Sequence, residues 1–261
     1  LRTYFPLELV KAGIFGLSEQ LFGGRIEPAV GVPVWHEEVE TYKFFNEDGE
    51  EVGLFYVDWF PRESKRSGAW MNSLYTADRT PGSSDKHIGL FVCNFTPPNS
   101  EGVALLTHDE VLTALHEFGH LLHHLFGNAS VKGRSGMNVA WDFVELPSQI
   151  MENWAYTKEG LELLSGHWQT GETLPEEYIT TLQNSYTFAG GHMQMRQLSF
   201  GIVDLMLHTA FDPTGGTSPT EYANEVVAPY VMGPTFVAKN RLHTFQHLFA
   251  GGYGAGYYSY K

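Results

Sequence analysis

The stretch from Thr107 to Gly127 constrains this chain more than any other. Thr107-His108-Asp109-Glu110 has the Ser/Thr-x-x-Glu form in which the threonine oxygen and the glutamate satisfy orphan amides at a helix start, so it predicts a helix. Val111, Leu115, Phe118, Leu122 and Leu125 then recur at spacings of four and three, which makes one buried stripe, and Gly127 supplies a stop. On this helix lies His116-Glu117-Phe118-Gly119-His120. Residues four apart share a helical face, so both imidazoles can reach one metal ion. Glu117, rotated ~100° from His116, can approach a water held there from the side. A random shuffle of this composition, with 12 His, yields the pattern roughly 0.05 times per chain.

His120 and His124 are a second i, i+4 pair, but Leu121 follows His120, so that pair lacks a base. The assignment is His116 and His120, with His123 and His124 read as supporting or surface groups. A catalytic zinc ion takes three protein ligands and keeps a fourth position open. The extended pattern with a third histidine fails, because Phe126 stands where that histidine belongs. A carboxylate must complete the set, and Asp142, Glu145 and Glu152 are the next acids. They lie in 141–154, read as a second helix with Pro147 in its first turn or at a kink. Glu145 and Glu152 are seven apart and share a face, so spacing does not choose between them.

Ahead of this region, apolar residues at Leu9, Val10, Ile14, Leu17 and Leu21 predict a helix within 5–22, ending at Gly23-Gly24. Two aromatic and β-branched runs, 42–45 and 53–60, flank Asn46-Glu47-Asp48-Gly49 and predict a β-hairpin, with a further strand over 88–94. Residues 62–66 and 80–84 read as loops. After Thr107 the chain is expected to be mostly helical.

The formal charge of −14 argues against nucleic acid, since neutralising phosphates needs clustered Lys and Arg. A composition 43% apolar excludes disorder. No stretch is long and apolar enough to span a bilayer, so no membrane partner is expected. Cys93, the single cysteine, fits a reducing compartment, and a cytoplasmic location is expected. The start lacks Met and the end is an aromatic run, Tyr257-Tyr258-Ser259-Tyr260-Lys261; both suggest a piece of a longer polypeptide that packs against its remainder.

Taken together, these residues resemble the zinc oligopeptidase family that includes thimet oligopeptidase, neurolysin, oligopeptidase A and dipeptidyl carboxypeptidase. The phrasing is most similar to the oligopeptidase A branch. The resemblance runs through Gly68-Ala69-Trp70-Met71, Val92-Cys93-Asn94-Phe95, 107–111, His116 to His120, Phe143-Val144-Glu145-Leu146-Pro147-Ser148-Gln149, Met151-Glu152-Asn153-Trp154, Arg196-Gln197-Leu198 and 249–260. It implies Glu145 as the third zinc ligand, with Glu152 and Asp142 in support. It also implies that Tyr253, Tyr257 and Tyr260, on a loop opened by Gly251 and Gly252, act beside the scissile carbonyl, with His247 just before them. Tyr260, Tyr253 and His247 are then catalytic with Glu117, while Tyr257, Gly251 and Gly252 bind substrate. The expected fold is α+β and zincin-like, one catalytic domain over 1–261 with a small antiparallel sheet beside the zinc-bearing helices. The expected activity is hydrolysis of internal bonds in short peptides with Zn²⁺. The alternatives are a dipeptidyl carboxypeptidase of the same family and a metal-free peptide-binding module.

Overall fold

The structure is a computed structural model and describes residues 1–80, 82–230 and 241–260. Pro81, from the loop expected at 80–84, and Lys261, from the aromatic run, lie outside the described residues. The chain divides into two compact units, one of Leu1–Val139 with Leu146–Ser185, the other of Ala140–Glu145 with Tyr186–Lys261.

In the first unit, α1 (Leu7–Phe22) carries Leu7, Val10, Ile14 and Leu17 on its buried face and closes on Gly23. The hairpin forms as expected from β2 (Glu40–Phe45) and β3 (Glu51–Asp58), paired antiparallel. Two short strands escaped the sequence reading: β1 (Arg25–Pro28) and β4 (Trp70–Tyr75). With β5 (His87–Val92) they make a five-stranded sheet in the order β1-β2-β3-β5-β4.

That sheet corrects one expectation, because it is mixed rather than antiparallel: β3 and β5 run parallel. The chain reverses twice after β3, and β5 then inserts between β3 and β4 rather than outside β4. The reason lies in which strand can bear solvent. β4 places Asn72 and Ser73 at an exposed edge, whereas β5 buries His87, Gly89, Phe91 and Val92.

The helix expected from Thr107 is α2 (His108–Leu125), and its start is the anticipated reciprocal cap. Thr107 Oγ1 accepts from the Glu110 amide at 3.1 Å while the Thr107 amide donates to Glu110 Oε2 at 2.7 Å. The stripe of Val111, Leu115, Phe118, Leu122 and Leu125 is buried, and Leu121 and Leu125 lie against the glycines of β5 and β3. Phe5, Phe44, Phe55 and Phe91 complete this core. The helix expected over 141–154 is shorter: α3 is Leu146–Glu152, with Pro147 in the first turn, where its missing N–H costs nothing. α4 (Lys158–Leu164) packs on α1, and α5 (Glu176–Thr187) adds Ile179 and Leu182 to the core.

In the second unit, α6 (Gly190–Thr209) packs against α7 (Pro219–Val227) around Val203, Ala223, Val227 and Leu242. A second reciprocal cap, Ser218 with Glu221, starts α7. Two single-turn helices, α8 (Arg241–Thr244) and α9 (Gln246–Phe249), precede the glycine and tyrosine loop of 250–260.

Candidate metallopeptidase site

His116, Glu117 and His120 lie on α2, and their orientation follows from how α3 crosses it. A Cβ built on Gly119 would stand 2.5 Å from the Pro147 carbonyl oxygen and 2.7 Å from Ser148 Cα. Only glycine permits that approach, so the residue just before His120 sets where α3 sits. At the far end of α3, Glu152 Oε1 accepts from His116 Nδ1 at 2.7 Å. A proton held on Nδ1 turns the Nε2 lone pair outward as a ligand and fixes the ring. The His116 and His120 rings stand 4.9 Å apart and nearly perpendicular, and Glu117 and His120 are buried.

Of the other candidates on α2, His123 has its pKa lowered by burial. His124 is not a surface group. It is fully buried, donates from Nε2 to the Tyr75 and Ile88 carbonyls at 3.2 Å, and accepts at Nδ1 from Ser73 Oγ at 3.1 Å. The His87 ring packs edge-on against it at 4.8 Å. Asp142 is exposed.

In the second unit, Glu145 is 1% exposed and immediately precedes the first residue of α3. The Tyr253 hydroxyl donates to Glu145 Oε1. Tyr253 packs on Trp141 with ring centroids 4.5 Å apart, and Gly252, at φ 84°, lets the loop turn over that indole. The His247 ring is 5.7 Å from each of the Tyr253, Tyr257 and Tyr260 rings. Gly251 lies directly on the His247 backbone. The expected tyrosines, the histidine and the glycines thus come together. Burial raises the Tyr260 pKa, with the Glu145 charge adding to it, so its hydroxyl keeps its proton as a donor. Burial lowers that of His247. Burial also raises the Tyr257 pKa.

His116 and His120 offer two imidazole nitrogens from one face of α2, and Glu145 is the carboxylate that the family resemblance adds to them. Two imidazole nitrogens and one carboxylate oxygen suit a borderline divalent ion, and the Glu152 contact presents His116 in the tautomer such an ion requires. The donors present therefore fit the metal that the motif implies.

The whole chain, residues 1–261, matches Peptidase family M3. The chain belongs to peptidase family M3, whose members are metal-dependent peptidases. It is 40% identical over 262 residues to oligopeptidase A of Escherichia coli, covering 100% of this chain and 38% of that protein. It is 42% identical over 268 residues to a probable cytosolic oligopeptidase A of Arabidopsis thaliana, again covering 100% of this chain and 38% of the relative. Dipeptidyl carboxypeptidase of Escherichia coli is 34% identical over 262 residues, with the same coverage. The chain thus spans 38% of the length of these relatives. The resemblance to the family read from the motifs holds.

Sequence reasoning passed over two residues of the site's surroundings. Trp141, the wall behind Tyr253, carried no signal, since exposed aromatics flank many helices. Asp204 did: it is the lone acid in Gly201-Ile202-Val203-Asp204-Leu205-Met206, and a charge inside an apolar helical run marks a buried contact.

Proposed function

We propose that this chain carries the catalytic centre of a zinc oligopeptidase that hydrolyses internal bonds of short peptides. The observation that carries the reading is the Glu152–His116 hydrogen bond on an H-E-x-x-H helix of a family M3 chain, because that contact prepares a histidine for a metal rather than for solvent. In this reading His116, His120 and Glu145 hold the ion. Zn²⁺, when bound, supplies Lewis acidity toward a water and a peptide carbonyl. Glu117 takes the proton of the attacking water on its carboxylate and passes it to the leaving nitrogen. The Tyr260 and Tyr253 hydroxyls donate to the carbonyl oxygen as negative charge grows on it, and His247 holds the tyrosine rings in place. Tyr257, Gly251 and Gly252 line the substrate. The outer side of β4 has no strand partner among the described residues, and an extended peptide can add to it by main-chain hydrogen bonds. The 261 residues act as one catalytic domain, and the cytoplasm is its compartment.

The test is elemental analysis of the purified protein combined with mass-spectrometric mapping of products from a peptide library. About one zinc per chain and cuts at internal bonds are expected. Release of C-terminal dipeptides alone would make it the dipeptidyl carboxypeptidase. Bound peptide without cleavage would make it a binding module.

A further inference from the structure

We propose that Asp204 is a positioning residue for the tyrosine loop, acting on peptide hydrolysis through the backbone of Ala255 and Tyr257 without touching substrate. The inference rests on the reading of that loop given above and names the device that sets its path.

Asp204 lies in the second half of α6 and is fully buried. Its two carboxylate oxygens are used separately. Oδ1 accepts the Ala255 amide at 2.7 Å, and Oδ2 accepts the Tyr257 amide at 2.9 Å. One helical turn later, His208 Nδ1 stands 3.0 Å from Oδ1 and 2.8 Å from the Asp204 carbonyl oxygen. A carboxylate on the buried face of a helix is tolerated only where donors replace its lost hydration, and here two of the three, the Ala255 and Tyr257 amides, come from the loop.

The loop in turn needs holding. Ala255 has φ 60°, a left-handed conformation that its Cβ disfavours and that persists only where surrounding contacts enforce it. Its own amide and the one two residues on are the groups that Asp204 binds, so one carboxylate fixes both sides of the strained residue. Tyr253 lies two residues before this clamp, and Tyr257 and Tyr260 at and beyond it. Ring packing carries the constraint onward, with Tyr257 and Tyr260 centroids 4.9 Å apart and Tyr253 and Tyr260 centroids 5.3 Å apart. An asparagine would keep one acceptor and turn an N–H donor toward the other amide, so Asp204→Asn should release one side of the loop while leaving α6 its shape.

The experiment uses the full chain with zinc supplied and a fluorogenic peptide. It compares wild type, Asp204→Asn, the Tyr253→Phe/Tyr260→Phe pair, and the triple variant. If Asp204 acts through the tyrosines, Asp204→Asn lowers kcat at least about tenfold with KM changed less than about threefold, and lowers kcat less than about twofold when the hydroxyls are already gone. A purely structural defect would multiply through both backgrounds. The second readout needs neither metal nor substrate. In protein labelled with 5-fluorotryptophan, the resonance lost in Trp141→Phe reports the indole against Tyr253, and Asp204→Asn should shift or broaden it. Unchanged kcat, an equal loss in both backgrounds, or an unmoved Trp141 resonance overturns the inference. Should Asp204→Asn not fold, Asp204→Glu, which keeps the charge but carries both oxygens one carbon further from α6, must show the same split of kcat from KM. If the wild type binds zinc but cleaves no peptide, the peptidase reading fails, while the fluorine signal still decides whether Asp204 sets the loop.

Discussion

Glu117 and Glu145 are both buried acids, yet their substitutions should fail in different ways. Glu117→Gln keeps the shape of the side chain and cannot accept a proton, so zinc content should stay near one per chain while kcat falls about a hundredfold or more. Glu145→Ala removes a ligand, so zinc content itself should fall when measured after dialysis at limiting metal. Near-normal kcat in metal-loaded Glu117→Gln would remove the general-base role. Tyr260→Phe makes a finer distinction. A phenol aimed at the developing oxyanion strengthens only as charge accumulates, so its loss should cost about 3 kcal/mol in kcat, roughly a hundredfold, with KM almost unchanged. A rise in KM with kcat intact would make Tyr260 a binding residue instead. The chemistry of Glu117 was legible in the sequence because it depends on residue type and short spacing, whereas the roles of Glu145 and Tyr260 came only from the family resemblance. Two contacts were not legible: Glu152 reaches His116 only because α3 folds back across α2, and Asp204 reaches Ala255 across 51 positions.

At the scale of the element, α2 is held on both sides, and each side offers a test. Toward α3 the close contact is at Gly119. Gly119→Ala adds about 1 kcal/mol of helix propensity but drives a methyl into the Pro147 backbone, so the net effect should be destabilisation by about 1–3 kcal/mol, read from urea midpoints. Because α3 begins one residue after Glu145, zinc affinity should weaken with it. Toward the sheet the contact is His124, whose burial lowers its pKa to about 4. Its folded pKa lies below the ordinary histidine value near 6.5, so the unfolded chain binds the extra proton between those two values. The stability from neutral His124 is therefore complete above pH ~6.5 and is lost as pH falls toward 4, by roughly 3 kcal/mol in all. Unfolding curves at pH 7, 5.5 and 4 should show this loss, and His124→Gln should flatten the pH dependence. A pH slope unchanged in His124→Gln would assign the acid sensitivity elsewhere.

For the whole molecule the decisive quantity is apolar surface left in water. In the second unit Phe188 is 82% exposed, Tyr186 60% and Phe249 63%, with Met193 and Leu198 also exposed. Five large apolar side chains left in water on one unit are surface available for contact with another segment. We expect residues 1–261 alone to bind a hydrophobic dye and to hydrolyse peptides poorly, and to gain activity when the rest of the full-length protein is supplied. Full specific activity of the 261-residue chain would refute this. What the sequence by itself determined is local. The Thr107 cap, the period of the stripe on α2 and the i, i+4 histidines are written within a few residues of one another, and helix geometry converts them directly into position. What only the tertiary structure decided are pairings between distant segments: β5 taking the place between β3 and β4, α3 pressing on Gly119, and the Asp204 clamp. Each of those depends on which of several similar surfaces wins contact once the chain is compact. A strand's own pattern says that it is buried, and leaves open which neighbour buries it.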